Sequence, residues 1–386
     1  MIVEPKVREF ICTTAHPVGC RENVRRQIAY TKEQGEVKGI KKALIIGSST
    51  GYGLASRIVS AFGAKAATIG VMFEKEGKAK RTASAGWYNN LAFEEFAKEE
   101  GIYAKTLNGD AFSKEIKEQV IELIKKDLGK VDTVIYSLAA PRRTMEDGTV
   151  YQSTLKTVGE EFVNKSLNLK NNTIETASIS PANEEEIEAT IKVMGGEDWL
   201  DWMRALKEAD VLEDNAVTLA YSYIGPKLTY PVYFQGTIGL AKKHLKETAA
   251  VINEEFKNSG LKAYISVNKA LVTQASAAIP VVPLYMAILY KTMKEMGNHE
   301  NCIQQINRLF HEKKEGDSFK VDAENLIRLD DWEMEDAVQE AVIAAWDKVN
   351  SDNILEYADI EGYWEDFYNM FGFKFDFVDY TQDVEI

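Results

Sequence analysis

"KKALIIGSSTGYGLASRIVSAFG", residues 41–63, carries the strongest structural signal in this chain. The apolar run from Ala43 to Ile46 is too brief for a helix and is bounded by lysines and a glycine, so it reads as a buried strand. Beyond the glycines, Leu54, Ala55, Ile58, Val59 and Phe62 recur at helical spacing, which puts the turn between a strand and a helix. Gly47, Gly51 and Gly53 make that turn a GxxxGxG variant of the dinucleotide fingerprint. Missing side chains let the backbone amides of Gly47, Ser48, Ser49, Thr50, Gly51 and Tyr52 approach a pyrophosphate at a helix start. A tight turn that binds nothing would show the same three glycines, so the surrounding pattern has to decide.

That pattern continues as repeated βα units. "AATIGVMFE" reads as a second strand ending at Phe73 and Glu74. Glu74 stands about 20 residues beyond the glycines, where the fingerprint expects a carboxylate to accept hydrogen bonds from an adenosine ribose. It would repel a 2′-phosphate, which favours NADH. Lys75, Lys78, Lys80 and Arg81 follow and would soften that preference, unless they form only a solvated loop. "IYAKTLNGD" is a third strand, residues 113–129 a helix, and "VDTVIYSLA" a fourth strand. Alternation of this kind predicts a Rossmann-type, doubly wound parallel α/β sheet with ligands at the carboxyl ends of its strands. Asp110 and Ala111 would then border the adenine, although Asp110 equally fits a helix N-cap. Leu138 and Ala139 would leave room for a ribose.

With 386 residues, 45% hydrophobic and 27% charged, the chain suits one elaborated domain or two. The reading taken is a single enlarged domain: an N-terminal extension (1–40), a dinucleotide-binding half (41–140), an insertion (141–195), a catalytic half (196–290) and a helical extension (291–386). The insertion either covers a substrate cleft or is a plain surface feature. The nearest approach to a membrane span, residues 277–290, is short and broken by Pro280 and Pro283, and the charged start lacks a signal-peptide core. A cytoplasmic location is expected. Three cysteines without CxxC pairing and four scattered histidines argue against a disulfide framework or a metal site. A net charge of −14 argues against nucleic acid as a partner, but not against a small anionic ligand met by local amides and cations.

Residues 221–244, "YSYIGPKLTYPVYFQGTIGLAKKH", place four tyrosines ahead of a lysine pair. At ~100° per residue, Tyr233 and Lys242 would fall on opposite faces of one continuous helix. They converge only if Tyr233 precedes the helix, which Pro231 and Gly236 permit without requiring. Tyr230 is a rival, and Tyr221 reads as a packing residue.

These tyrosines, the Tyr233 to Lys242 spacing, GSSTGYG and the Phe73–Glu74 pair are together similar to the trans-2-enoyl-CoA reductase and type-V enoyl-ACP reductase family. That family resembles short-chain dehydrogenases but has a wider tyrosine-to-lysine spacing and a longer chain. The similarity runs from "ICTTAHPVGC" (11–20) to "EGYWEDFYNMFGF" (361–373). It implies Tyr233 as proton donor, Lys242 as a cofactor contact, Tyr223 facing the substrate carbonyl, and Val272, Thr273 and Gln274 at the nicotinamide end. It further implies NADH as cofactor, an enoyl-CoA or enoyl-ACP substrate, and a monomer.

The chemistry agrees with the resemblance. Reducing the double bond of an enoyl thioester develops negative charge on the thioester oxygen, which a phenol can stabilise. A nearby ammonium such as Lys242 would lower that phenol from its ordinary pKa of ~10. A short-chain-type ketone or alcohol dehydrogenase and a non-catalytic NADH sensor remain as alternatives. An acidic protein suits coenzyme A better than an acidic carrier domain. Leu284, Met286, Ile288, Leu289, Met293 and Met296 either wall an acyl chain or form an ordinary core helix. The rings of the last hundred or so residues are expected to pack on the sheet, with no chemistry assigned to them.

Overall fold

The computed structural model describes residues 1–8, 11–274, 276, 279, 281–316 and 318–386; Pro280, which interrupts the long apolar run, lies outside the described residues. Seven strands form one parallel sheet: β1 (Lys42–Ile46), β2 (Ala67–Met72), β3 (Ala104–Asn108), β4 (Val131–Tyr136), β5 (Leu212–Ser222), β6 (Lys262–Val267) and β7 (Leu326–Arg328). Their order is β3-β2-β1-β4-β5-β6-β7. The chain winds outward from β1 to β3, then returns to the far side of β1 at β4. Strand order therefore reverses between β1 and β4, where open α/β sheets form their ligand crevice.

The apolar run that predicts β1 is buried on both faces, as a central parallel strand requires. Leu44 and Ile46 point into one core with Ile69 and Val134; Ile45 points into the other with Ile135 and Leu219. Helices α1 (Gly51–Ile58) and α2 (Ala85–Glu99) cover the second face through Leu54, Ile58 and Phe93. Helices α3 (Lys114–Asp127) and α4 (Thr237–Glu255) cover the first through Val120, Ile124, Leu245 and Ile252. Asp110 does not cap α3. Ser113 does, accepting the Ile116 N–H at 3.2 Å, while Asp110 Oδ1 accepts the Phe112 N–H at 3.0 Å within the preceding turn.

The last hundred residues are mainly helical, as expected, with one strand added to the sheet. Leu326–Arg328 extends the sheet as β7, pairing Leu326 with Ile265; three residues are too few to show a strand period. The rings of the extension divide: Phe310 and Phe319 pack on the sheet, in the core with Ile45, Ile135 and Tyr264, whereas those of the final helices do not. Tyr363, Phe367, Trp346 and Phe371 join a third core built on helix α5 (Val282–Met296). The insertion folds as two hairpins, Arg142–Thr144 with Val150–Gln152 and Phe162–Asn168 with Thr173–Ile179, followed by a helix, Glu184–Met194; the second hairpin buries Leu167 and Ile179 in that same core. Lys165 fastens it to the tail by donating to the carbonyls of Trp346 (2.7 Å) and Val349 (3.1 Å). Among the described residues, no helix is long and apolar enough to cross a membrane.

Candidate active site

The turn after β1 is shaped by contact. Gly47 has φ +85, and a Cβ there would stand 2.5 Å from the Ser137 carbonyl oxygen at the exit of β4. Gly53 lies so close beneath it that a Cβ would meet the Gly47 carbonyl oxygen at 1.8 Å. Thr50 is extended at the N-cap of α1, and its side chain does not cap the helix. The first amides of α1 thus face the crevice, and the cradle fits the pyrophosphate of a dinucleotide.

Around that turn, Gly47, Ser49, Thr50, Gly51 and Tyr52 line one crevice together with Phe73 and Glu74 after β2, Asp110 and Ala111 after β3, and Leu138 and Ala139 after β4. Thr273 and Gln274 close it. Ser48 lies beneath, fully buried, its hydroxyl donating to the Val71 carbonyl. Glu74 is held in place: Ser49 Oγ donates to Oε1 at 2.6 Å, and Asn108 exchanges two hydrogen bonds with its backbone. Phe73 is 76% exposed at the rim. Val272 lies apart, lining an adjoining cavity with Thr50, Thr273 and Gln274 while its N–H donates to the Tyr290 hydroxyl at 3.0 Å.

Tyr52, Leu138, Ala139 and Thr273 also line another adjoining cavity of about 210 Å³ that holds Tyr223, Tyr233 and Lys242. The condition for bringing Tyr233 and Lys242 together is met. Tyr233 ends a separate helical turn (Tyr230–Tyr233), and α4 begins at Thr237 after an extended Gly236. Gly239 lets the first turn of α4 close against that segment, since a Cβ there would touch the Phe234 and Tyr233 carbonyl oxygens at 2.0 and 2.5 Å. Lys242 donates to the Tyr221 carbonyl at 2.9 Å, and burial pushes its ammonium down to about 8. Tyr223 and Tyr233 meet edge to face, with ring centroids 4.6 Å apart. Tyr230 instead packs on Phe234 and is not among the residues lining the cavity. Tyr221 shares a 2.6 Å hydrogen bond with Ser56 and also lines the cavity.

The expected tuning of Tyr233 runs the other way. Burial, then the Glu333 charge, then Tyr363 hold its phenol above the ordinary value. The group is therefore a fully protonated donor. The acyl wall is also narrower than expected: of the six α5 side chains proposed, only Met286 lines the cavity, joined by Met194, Ile238 and Ile279 from elsewhere.

Two buried charges escaped the sequence reading. Lys269, 3% exposed, lines the cavity just after β6 and donates to the Ala270 carbonyl at 3.0 Å. Glu333, 0% exposed, accepts from Tyr223 (3.0 Å), Tyr285 (2.6 Å) and the Ala270 N–H (2.7 Å). In sequence it sits in an acidic run, "DDWEMED", that reads as solvated surface.

Comparison with known proteins agrees with this architecture. The family described as trans-2-enoyl-CoA reductase catalytic region matches residues 81–314. The NAD(P)H binding domain of trans-2-enoyl-CoA reductase matches residues 2–79, and a segment described as an enoyl reductase FAD binding domain matches 321–384. In this chain that last segment packs against α5 and delivers Glu333 to the tyrosines. A trans-2-enoyl-CoA reductase (NADH) of Ruminiclostridium cellulolyticum is 55% identical over 387 residues, covering 100% of this chain and 98% of the relative. An enoyl-[acyl-carrier-protein] reductase (NADH) of Flavobacterium johnsoniae is 55% identical with the same coverage. The crystal structure of Clostridium acetobutulicum trans-2-enoyl-CoA reductase in complex with NADH superposes with a TM-score of 0.97 at 47% identity, over 100% of this chain and 98% of that one. Because both the identity and the superposition run the whole length, through the glycine turn and the tyrosine-bearing segment alike, this chain belongs to the trans-2-enoyl-CoA reductase family.

Proposed function

We propose that this chain uses NADH to reduce the trans-2 double bond of an enoyl thioester, with crotonyl-CoA as the model substrate. The observation that carries this reading is the continuity of the glycine-turn crevice with the cavity holding Tyr233 and Lys242. When bound, NADH supplies the hydride. Gly47, Ser49, Thr50, Gly51 and Tyr52 would hold its pyrophosphate, Glu74 its adenosine ribose, Asp110 and Ala111 its adenine. Leu138, Ala139, Thr273 and Gln274 would flank the remainder.

The protein's own part is electrostatic. As hydride adds at Cβ, charge moves to the thioester oxygen, where Tyr233 donates a hydrogen bond and then its proton; the resulting enol tautomerises to place a hydrogen on Cα, and the phenolate recovers its proton from solvent. The surrounding apolar walls, including Leu138, Ile238 and Met286, exclude water and so strengthen that bond. Lys242 adds a positive charge on the same cavity wall. Stopped-flow mixing with NADH and crotonyl-CoA should show rapid loss of nicotinamide absorbance, whereas simple ketones should be inert. Ketone turnover without enoyl turnover would make the chain a short-chain-type dehydrogenase; binding without any turnover would make it a sensor.

Coenzyme A is the proposed carrier, because the net charge of −14 disfavours docking of an acidic carrier domain. Comparing kcat/KM for crotonyl-CoA and the carrier-protein thioester decides this. We also propose that residues 1–386 work as one enlarged domain, as a monomer, in the cytoplasm and without a nucleic-acid partner. Glu74→Ala should narrow the preference for NADH over NADPH about tenfold, the scale of one lost charge repulsion of ~1.4 kcal/mol. Unchanged selectivity would mean that the Glu74 carboxylate faces solvent rather than the ribose.

A further inference from the structure

The tail that fills the third core also supplies Glu333, which is hydrogen-bonded to the tyrosine whose ring abuts the proposed proton donor. Glu333 does not line the catalytic cavity, but Tyr223 does. Tyr223 has a single hydroxyl hydrogen, and Glu333 Oε1 takes it at 3.0 Å. The same oxygen takes the Tyr285 hydroxyl at 2.6 Å, and Oε2 takes the Ala270 N–H at 2.7 Å. Three donors converge on one buried side chain, and Lys269, whose ammonium donates to the Ala270 carbonyl, supplies the compensating charge. At its other end the Tyr223 ring abuts that of Tyr233, 4.6 Å between centroids and 84° between planes.

We infer that Glu333 is a positioning residue for the reduction: by accepting the Tyr223 hydroxyl it fixes that ring, and through it the Tyr233 ring, while directing the Tyr223 hydrogen away from the substrate. Tyr233 is left as the one tyrosine of the pair free to donate to the thioester oxygen. This rests on the function proposed above and revises the expectation that Tyr223 faces the substrate carbonyl as a donor.

The arrangement dictates what an amide would do in place of the carboxylate. In Glu333→Gln, the Ala270 N–H requires an oxygen at the Oε2 position. The NH2 must then occupy the Oε1 position, where it donates to Tyr223 and Tyr285 and turns both hydroxyl hydrogens around. Size is conserved; polarity is reversed.

The test is a double-mutant cycle read on kcat with crotonyl-CoA and NADH. Glu333→Gln should lower kcat at least ~10-fold, since small misplacements of a catalytic group cost up to ~100-fold, while the KM for crotonyl-CoA and the Kd for NADH stay within ~2-fold. In a Tyr223→Phe background, which lacks the hydroxyl, the same change should cost less than ~2-fold. Equal losses in both backgrounds would mean that Glu333 acts as a general structural support, and wild-type kcat in the single variant would mean that it has no part; either overturns the inference. Should Glu333→Gln fail to fold, as loss of NADH binding would reveal, Glu333→Asp gives the same cycle with the charge kept and the reach shortened. Absence of enoyl turnover in the wild-type protein would instead refute the proposed function, so the two failures are distinct.

Discussion

Tyr233→Phe should lower kcat for crotonyl-CoA by about 10²- to 10⁴-fold, the range lost when a positioned proton donor or an oxyanion contact is removed. NADH binding should survive. The substitution deletes one oxygen and keeps the ring, so the edge-to-face contact with Tyr223 and the apolar surroundings of a side chain only 7% exposed are preserved. The coenzyme crevice is lined by the glycine turn and the ends of β1 to β4, not by Tyr233. Fluorescence titration with NADH alongside steady-state kinetics separates the two effects. Because burial and the Glu333 charge hold the phenol above its ordinary value, its loss removes a donor that is protonated throughout the neutral range, so the defect should be uniform from acid to mildly alkaline pH. A Phe variant that turns over at the wild-type rate would transfer the role to Tyr223.

What was legible in the sequence follows the range over which each feature is determined. The strand–turn–helix around Gly47, Gly51 and Gly53 was readable because all its determinants lie within about two dozen residues, and hydrophobic period and turn chemistry are local signals. Meeting of Tyr233 and Lys242 was half legible: spacing allowed it, but whether the helix began before or after Tyr233 depended on how Gly236 and Gly239 pack. Glu333 was not legible at all. Its partner Tyr223 lies 110 positions away and Ala270 lies 63 away, and nothing local distinguishes a buried carboxylate from its solvated neighbours in an acidic run. Burial, and after it the same carboxylate, explain why the tuning of Tyr233 was misjudged. A nearby lysine was visible in the sequence, whereas the buried negative charge brought in by the tail was not. β7 shows the opposite failure, a strand whose three residues are chosen by the sheet edge they meet rather than by their own pattern.

Gly53→Ala should weaken NADH binding at least ~10-fold, which corresponds to about 1.4 kcal/mol, and lower the melting temperature by several degrees. Backbone strain is not the reason. Gly51 has the left-handed φ of +53 with open space around it, whereas Gly53 has little room for any side chain. An alanine Cβ there would lie 1.8 Å from the Gly47 carbonyl oxygen and 2.9 Å from its carbon, and both belong to backbone that cannot swing aside like a flexible side chain. Intrinsic helix propensity pulls the other way, favouring Ala over Gly by up to about 1 kcal/mol within a helix. Overpacking of a rigid contact costs about 1–3 kcal/mol or more, so the clash should win. Relief requires α1 to slide away from the end of β1. The amides at the start of α1 would then move off the crevice floor, and the buried contacts of Leu54 and Ile58 would loosen with them. Calorimetry of the apo variant together with an NADH titration reads both consequences. Wild-type affinity in the alanine variant would show that the amides at the start of α1 are not the seat of the pyrophosphate, and the crevice would need another anion-binding floor.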